Sequence, residues 1–210
     1  MTIPVPGIAA DPGCSPTRLV AIGASTGGPS ALETILAMLP KDFPVPVLIV
    51  QHMSSGFMEG FVRWLGNSSR LPVRLASHGE FPLPGNVYVA PDEYQMKIGP
   101  DEGILLVKDQ PEHGSRPSVS YLFRALAQVC GGNCAAGLLT GMGRDGVSEL
   151  RILKEKGAMT FAQDKETSVV HGMPGEAIRA NAARLILPLG EIAPTLARLV
   201  NREGEITHDI

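Results

Sequence analysis

The sequence predicts an α/β domain: a doubly wound, mostly parallel sheet flanked by helices, with a small antiparallel hairpin. Short apolar runs alternate along the chain with amphipathic stretches of helical spacing. Several runs are apolar at consecutive positions rather than at every second one, the pattern of strands covered on both faces. A chain of 210 residues suits one domain with a substantial core and is too short for two ordinary ones.

Taken in order, residues 1–16 carry Pro4, Pro6, Pro12, Gly13 and Pro16 and are expected to form an irregular lead-in or linker. Residues 17–202 are expected to form the domain and 203–210 a tail. Arg18-Leu-Val-Ala-Ile-Gly23 reads as a buried strand. Pro29, with its fixed φ, suits the first turn of a helix whose stripe is Ala31, Leu32, Ile35, Leu36 and Leu39. Val45 to Gln51 is a second strand, 56–68 a helix, and 73–76 a short strand. Asn86–Ala90, Tyr94–Ile98 and Ile104–Val107 are short and lie among Pro and Gly. The last two flank Gly99-Pro-Asp-Glu-Gly103, a hairpin signal, so all three are expected in an antiparallel insertion or sheet edge. A helix opening at Pro117 follows, with Val119, Leu122, Leu126 and Val129 on one face. Cys134–Thr140 is a strand, Val147, Leu150 and Leu153 mark a helix, and Ala158–Ala162 is a strand. Pro174–Asn181 is helical, Arg184–Leu189 a strand, and Ile192–Val200 a closing helix. Strand and helix alternating at these lengths give Rossmann-like layering.

Composition excludes several classes. The chain is 44% hydrophobic and 19% charged, which is globular, and its net charge of −3 with scattered Lys and Arg argues against nucleic acid as a partner. Cys14, Cys130 and Cys134 are odd in number and lack metal-ligand spacing. A reducing, cytoplasmic setting is therefore expected, with no metal and no cofactor. No signal-peptide pattern opens the chain, and no apolar run reaches membrane-spanning length, so no direct membrane insertion is expected.

In such a sheet, ligands bind beyond the carboxyl ends of the strands. Ser25 follows the first strand, His52 the second, and Asp145 the strand ending at Thr140. Gly23-Ala-Ser-Thr-Gly27 fits the tight strand-to-helix turn that exposes a nucleophilic serine, with the Thr26 N–H as the natural oxyanion donor. A neutral serine needs a base, and a histidine, whose ordinary pKa is near neutrality, needs a carboxylate to fix its ring. Each residue also has a plainer reading. The glycine-rich turn could cradle a phosphate, although Pro29 stands where a P-loop needs Lys. His52 could be a structural strand-end histidine, and Asp145 a helix N-cap. Asp92 and Asp164 also follow predicted strands, so spacing leaves the acid open. His171, beside Gly172-Met-Pro174, could line the cleft.

Ile22-Gly-Ala-Ser-Thr-Gly-Gly28, Gln51-His-Met53, Arg116-Pro-Ser-Val119, Leu139-Thr-Gly-Met-Gly-Arg-Asp-Gly146 and Val170-His-Gly-Met-Pro-Gly-Glu-Ala-Ile178 occur in that order. Together they resemble the catalytic domain of the chemotaxis protein-glutamate methylesterases (CheB type), from roughly Arg18 to Val200. The resemblance implies hydrolysis of glutamyl methyl esters on methyl-accepting chemotaxis receptors, with release of methanol, and deamidation of receptor glutamines. It implies Ser25 as nucleophile, His52 as base and Asp145 as the orienting acid, with Met142 N–H joining that of Thr26 at the oxyanion. The usual member also carries an N-terminal receiver domain that covers the site. Ser25 lies so early that an excised catalytic domain or a stand-alone homologue, a monomer in either case, is expected. Ser120 stands where the family commonly has Asp, and His171 where an aromatic is common. Other readings are a nucleotide-binding domain using the glycine-rich turn, a relative acting outside chemotaxis, and a non-catalytic binding relic.

Overall fold

A computed structural model describes residues 17–201; the expected lead-in and tail, with Cys14 and His208, lie outside the described residues. Seven parallel strands form one sheet. They are β1 (Val20–Ala24), β2 (Val47–Gln51), β3 (Val73–Leu75), β4 (Val87–Val89), β7 (Ala135–Leu138), β8 (Met159–Gln163) and β9 (Leu185–Leu187). Their spatial order is β3-β4-β2-β1-β7-β8-β9. The remaining two strands, β5 (Gln95–Ile98) and β6 (Ile104–Val107), pair as an antiparallel hairpin.

Continuous apolar strands are what a sheet covered on both sides requires. Along β1, Val20, Ile22 and Ala24 face one core and Leu19 and Ala21 the other. The first core is closed by α1 (Gly28–Met38), α2 (Met58–Ser68) and α6 (Leu189–Asn201). The second is closed by α3 (Val119–Val129), α4 (Val147–Glu155), α5 (Met173–Arg179) and the hairpin. The chain runs from β1 outward to one edge, then returns to β7 on the other side of β1. That reversal opens a crevice at the carboxyl ends of β1, β2 and β7.

The expected fold class is the observed one, with one regrouping. Val87–Val89 belongs to the parallel sheet, between β2 and β3, and not to the antiparallel insertion. Its three residues are all buried, whereas the hairpin strands are only partly so. Among the described residues, no helix is long and apolar enough to cross a membrane.

Small residues in β7 let the sheet close. A Cβ on Gly137 would lie 2.2 Å from Phe161 Cε2 of the neighbouring strand, so the Phe161 ring, 1% exposed, occupies the space a side chain would take. Gly137→Ala should therefore cost about 1–3 kcal/mol by overpacking, read by urea denaturation. Adding Phe161→Leu should recover part of that loss; equal stability of Gly137→Ala and wild type would contradict this packing.

Candidate active site

Each expected triad residue stands at the rim of the crevice. β1 and β2 pair in register up to Ala24 opposite Gln51, and the ladder ends with His52 N–H donating to Ala24 O at 2.9 Å. Ser25 and His52 are thus the first residues past the last rung, on strands roughly 4.8 Å apart. Ser25 is held from the other side by the segment just past β7: its N–H donates to Thr140 O at 3.1 Å. Gly27 takes φ 80°, a left-handed conformation that glycine adopts freely, and this turns the chain from β1 into α1.

Asp145 is 3% exposed, yet its carboxylate meets four donors. Oδ1 accepts from Ser118 Oγ at 2.8 Å and Ser120 N–H at 2.9 Å. Oδ2 accepts from Val119 N–H at 2.7 Å and His52 Nε2 at 2.8 Å. Ser118 is the N-cap of α3 and Val119 its first residue, so the carboxylate occupies the positive end of that helix. Burial alone would raise its pKa. The His52 hydrogen bond and the amides of Ser120 and Val119 outweigh burial and lower it to about 2. The N-cap reading of Asp145 on α4 does not hold: Gly146 is that cap and receives no side-chain cap bond. Asp145 instead sits at the start of α3, which packs against α4.

The competing acids are engaged elsewhere. Asp92 accepts from Gly56 N–H at 2.8 Å, and Asp164 accepts from Thr167 N–H at 3.0 Å. Both stabilise loops. The His171 Nδ1 lies 3.4 Å from Ser168 Oγ, and its ring packs beside Gly175.

With Nε2 committed to Asp145, the lone pair of a neutral His52 is on Nδ1. This reverses the arrangement in chymotrypsin, where the acid holds Nδ1. The structure joins His52 to Asp145; among the described residues Ser25 Oγ makes no hydrogen bond, so no Ser25–His52 contact is formed. Such contacts commonly tighten only once substrate is bound.

Gly141 brings the Met142 peptide to the serine, since a Cβ on Gly141 would be 2.7 Å from Ser25 Cβ. Among the described residues, the N–H groups of Thr26 and Met142 donate to no protein acceptor. The turn is poorly built as a phosphate cradle: Gly28 N–H is spent on Ser25 O at 2.8 Å, and Pro29 has none to give. Sequence reasoning did not find the roles of Ser118 and Ser120. A Ser-x-Ser at a helix start was the available signal, but only the tertiary fold shows what it caps.

Comparison with known proteins shows the family. The family profile described as CheB methylesterase matches residues 20–196. A protein-glutamate methylesterase/protein-glutamine glutaminase of Nitrosospira multiformis is 69% identical over 191 residues, covering 91% of this chain and 54% of that protein. A similarly named protein of Syntrophus aciditrophicus is 53% identical over 182 residues, covering 87% of this chain and 52% of its own length. The chain thus spans about half the length of these relatives. The crystal structure of the Thermotoga maritima CheB methylesterase catalytic domain superposes with a TM-score of 0.84 at 36% identity, covering 89% of this chain and 100% of that one. With the profile spanning most of the described domain and a solved relative sharing its fold throughout, the chain belongs to the CheB methylesterase family.

Proposed function

We propose that this chain is a serine hydrolase that demethylates glutamyl methyl esters on methyl-accepting chemotaxis receptors, releasing methanol, and deamidates receptor glutamines. The observation that carries the chemistry is the pairing of the half-buried His52, at the strand end next to Ser25, with the buried Asp145. The substrate class rests on what the relatives' names say of those proteins. On this reading the enzyme works in the cytoplasm as a monomer, on the cytoplasmic part of the receptors.

His52 Nδ1 takes the Ser25 hydroxyl proton as Oγ attacks the ester carbonyl. The oxyanion is received by the Thr26 and Met142 N–H groups, which among the described residues have no other acceptor to leave. The ester C–O bond breaks, and methanol departs with the proton from His52. Water, deprotonated by the same nitrogen, then attacks the acyl-serine, and the proton returns to Ser25 as glutamate is freed. Asp145 stays ionised throughout; it fixes the ring and stabilises the imidazolium. A glutamine substrate follows the same path, with ammonia leaving.

Methanol release from methylated receptor membranes tests the reading. Ser25→Ala and His52→Ala should each lower kcat at least ~10²-fold, and Ser25→Ala should lose labelling by a fluorophosphonate. Full turnover in Ser25→Ala would overturn the nucleophile assignment. Asp145→Ala should be slow and also less stable, because it strands the amides of Val119 and Ser120, whereas Asp92→Ala should keep its activity.

The low Asp145 pKa also makes a stability prediction. The unfolded carboxyl titrates near 3.8 and the folded one near 2, so the folded state binds fewer protons in between. The resulting stabilisation, about 2 kcal/mol, is complete above about pH 4 and lost as pH falls through about 2. Urea unfolding of wild type and Asp145→Ala from pH 5 downward should show their stability gap narrowing; a gap independent of pH would count against the buried anion.

A further inference from the structure

Gln51, the last residue of β2, is 1% exposed although it is polar. Its Nε2 donates to Ser25 O at 2.9 Å and to His52 O at 2.7 Å. The backbone ladder between β1 and β2 has already ended at His52 N–H, where the two strands part around the crevice. One side-chain amide therefore supplies a rung past the last backbone rung, and it ties together the two peptides that carry Ser25 and His52.

The other end of that amide is costly. Among the described residues, Gln51 Oε1 is buried without a hydrogen-bond partner. Turning the amide over would face its oxygen to two carbonyl oxygens, so the observed orientation is the one the site permits. A buried polar atom left unpaired is destabilising, a cost that an apolar side chain of the same shape would avoid. Such a group calls for a reason to be kept. The neighbouring backbone is shaped around it: a Cβ on Gly28 would lie 2.1 Å from Oε1 and 3.0 Å from Cδ. Gly28 has no left-handed φ to explain its being glycine. The room it leaves is filled by the Gln51 amide.

We propose that Gln51 is a positioning residue, its side-chain amide setting the spacing between Ser25 and His52, with Gly28 reserving the space the amide needs. The proposal rests on Ser25 and His52 being nucleophile and base. It adds a role for a residue that touches neither substrate nor a reacting atom.

The full 210-residue chain is assayed with p-nitrophenyl acetate, and Ser25 acylation is followed separately with a fluorophosphonate. Gln51→Met keeps the shape and removes the donors. It should lower kcat and the acylation rate about 10–100-fold, the scale of a misplacement near 1 Å, with KM within twofold. Gly28→Ala displaces the amide without touching a catalytic side chain and should lower kcat at least tenfold. In a Gln51→Ala background the same Gly28→Ala change should cost less than threefold, because the amide it displaces is already gone. Its contact with Ala24 Cβ, at 2.8 Å, is present in both backgrounds and so cancels from the comparison.

Wild-type kcat in Gln51→Met, with Ser25→Ala inactive, would overturn the positioning role and leave the nucleophile assignment standing. Equal losses for Gly28→Ala in both backgrounds would also overturn it, and this arm stands even if Gln51→Met does not fold. Retained turnover in Ser25→Ala would sink the catalytic reading and the positioning role with it.

Discussion

Asp145 puts a negative charge where almost no water reaches, and the fold must answer for it. An unpaired buried carboxylate costs several kcal/mol, and hydrogen bonds to a charged group return about 1.5–3 kcal/mol each. Four donors supply that return, two on each oxygen. Three of them come from the first turn of α3, so the helix must begin at the rim of the crevice and nowhere else. Its approach is tight: Val119 packs where a Cβ on Gly23 or Gly146 would fall, 2.5 Å from Val119 Cγ1 in both cases. One glycine precedes the serine turn and the other follows the acid. The backbone of the serine turn, the start of α3 and the acid loop are thus adjusted to the same methyl group. Stability and site geometry share one constraint.

The same bonding decides how the imidazole is used. Asp145 Oδ2 takes the Nε2 proton, so the ring presents Nδ1. A histidine mounted just past the end of β2 reaches the carboxylate with its far nitrogen, and Nδ1 has no partner among the described residues. On the proposed assignment the roles are those of a Ser-His-Asp hydrolase with the two ring nitrogens exchanged, as expected when a triad is assembled on a different scaffold. Ser120 contributes a backbone N–H to the acid, while its hydroxyl accepts from Gly146 N–H at 2.8 Å. The departure from the common family Asp at this position therefore leaves the donors to Asp145 intact.

Much of this was legible in the residue order. Continuous apolar runs gave the parallel sheet, and the rule that ligands bind past strand ends selected Ser25 and His52. The acid was not legible from spacing, because Asp92, Asp145 and Asp164 all follow strands; motif resemblance pointed to Asp145, and the geometry shows the other two tied to loops. Which helix Asp145 caps could not be read locally, since the start of α3 is 26 positions away. Its shortness and its setting among Pro and Gly group Val87–Val89 with the hairpin when only the sequence is read. Its unbroken Val-Tyr-Val was the counter-signal, for a strand of the hairpin such as Gln95-Met-Lys-Ile98 interleaves polar residues. Ring orientation and the Gln51 rung are side-chain geometry, invisible until the strands are paired.

The two candidate oxyanion donors belong to a different economy from the acid. Thr26 and Met142 are exposed, so their N–H groups, without an acceptor among the described residues, can be served by solvent and cost the resting fold little. The carboxylate, by contrast, had to be satisfied by the protein itself. A substrate carbonyl entering beside Ser25 would displace that solvent and meet donors already aimed, with Thr26 O pinned by Thr140 Oγ1 at 2.9 Å and Gly141 anchored through its N–H to Val170 O at 2.9 Å. Preorganisation of this kind stabilises the charge that develops during attack, because the dipoles need no reorientation when it appears. The rim can therefore keep its donors open to water while the acid behind it is sealed: each group is left in the environment that its own charge state requires before the substrate arrives.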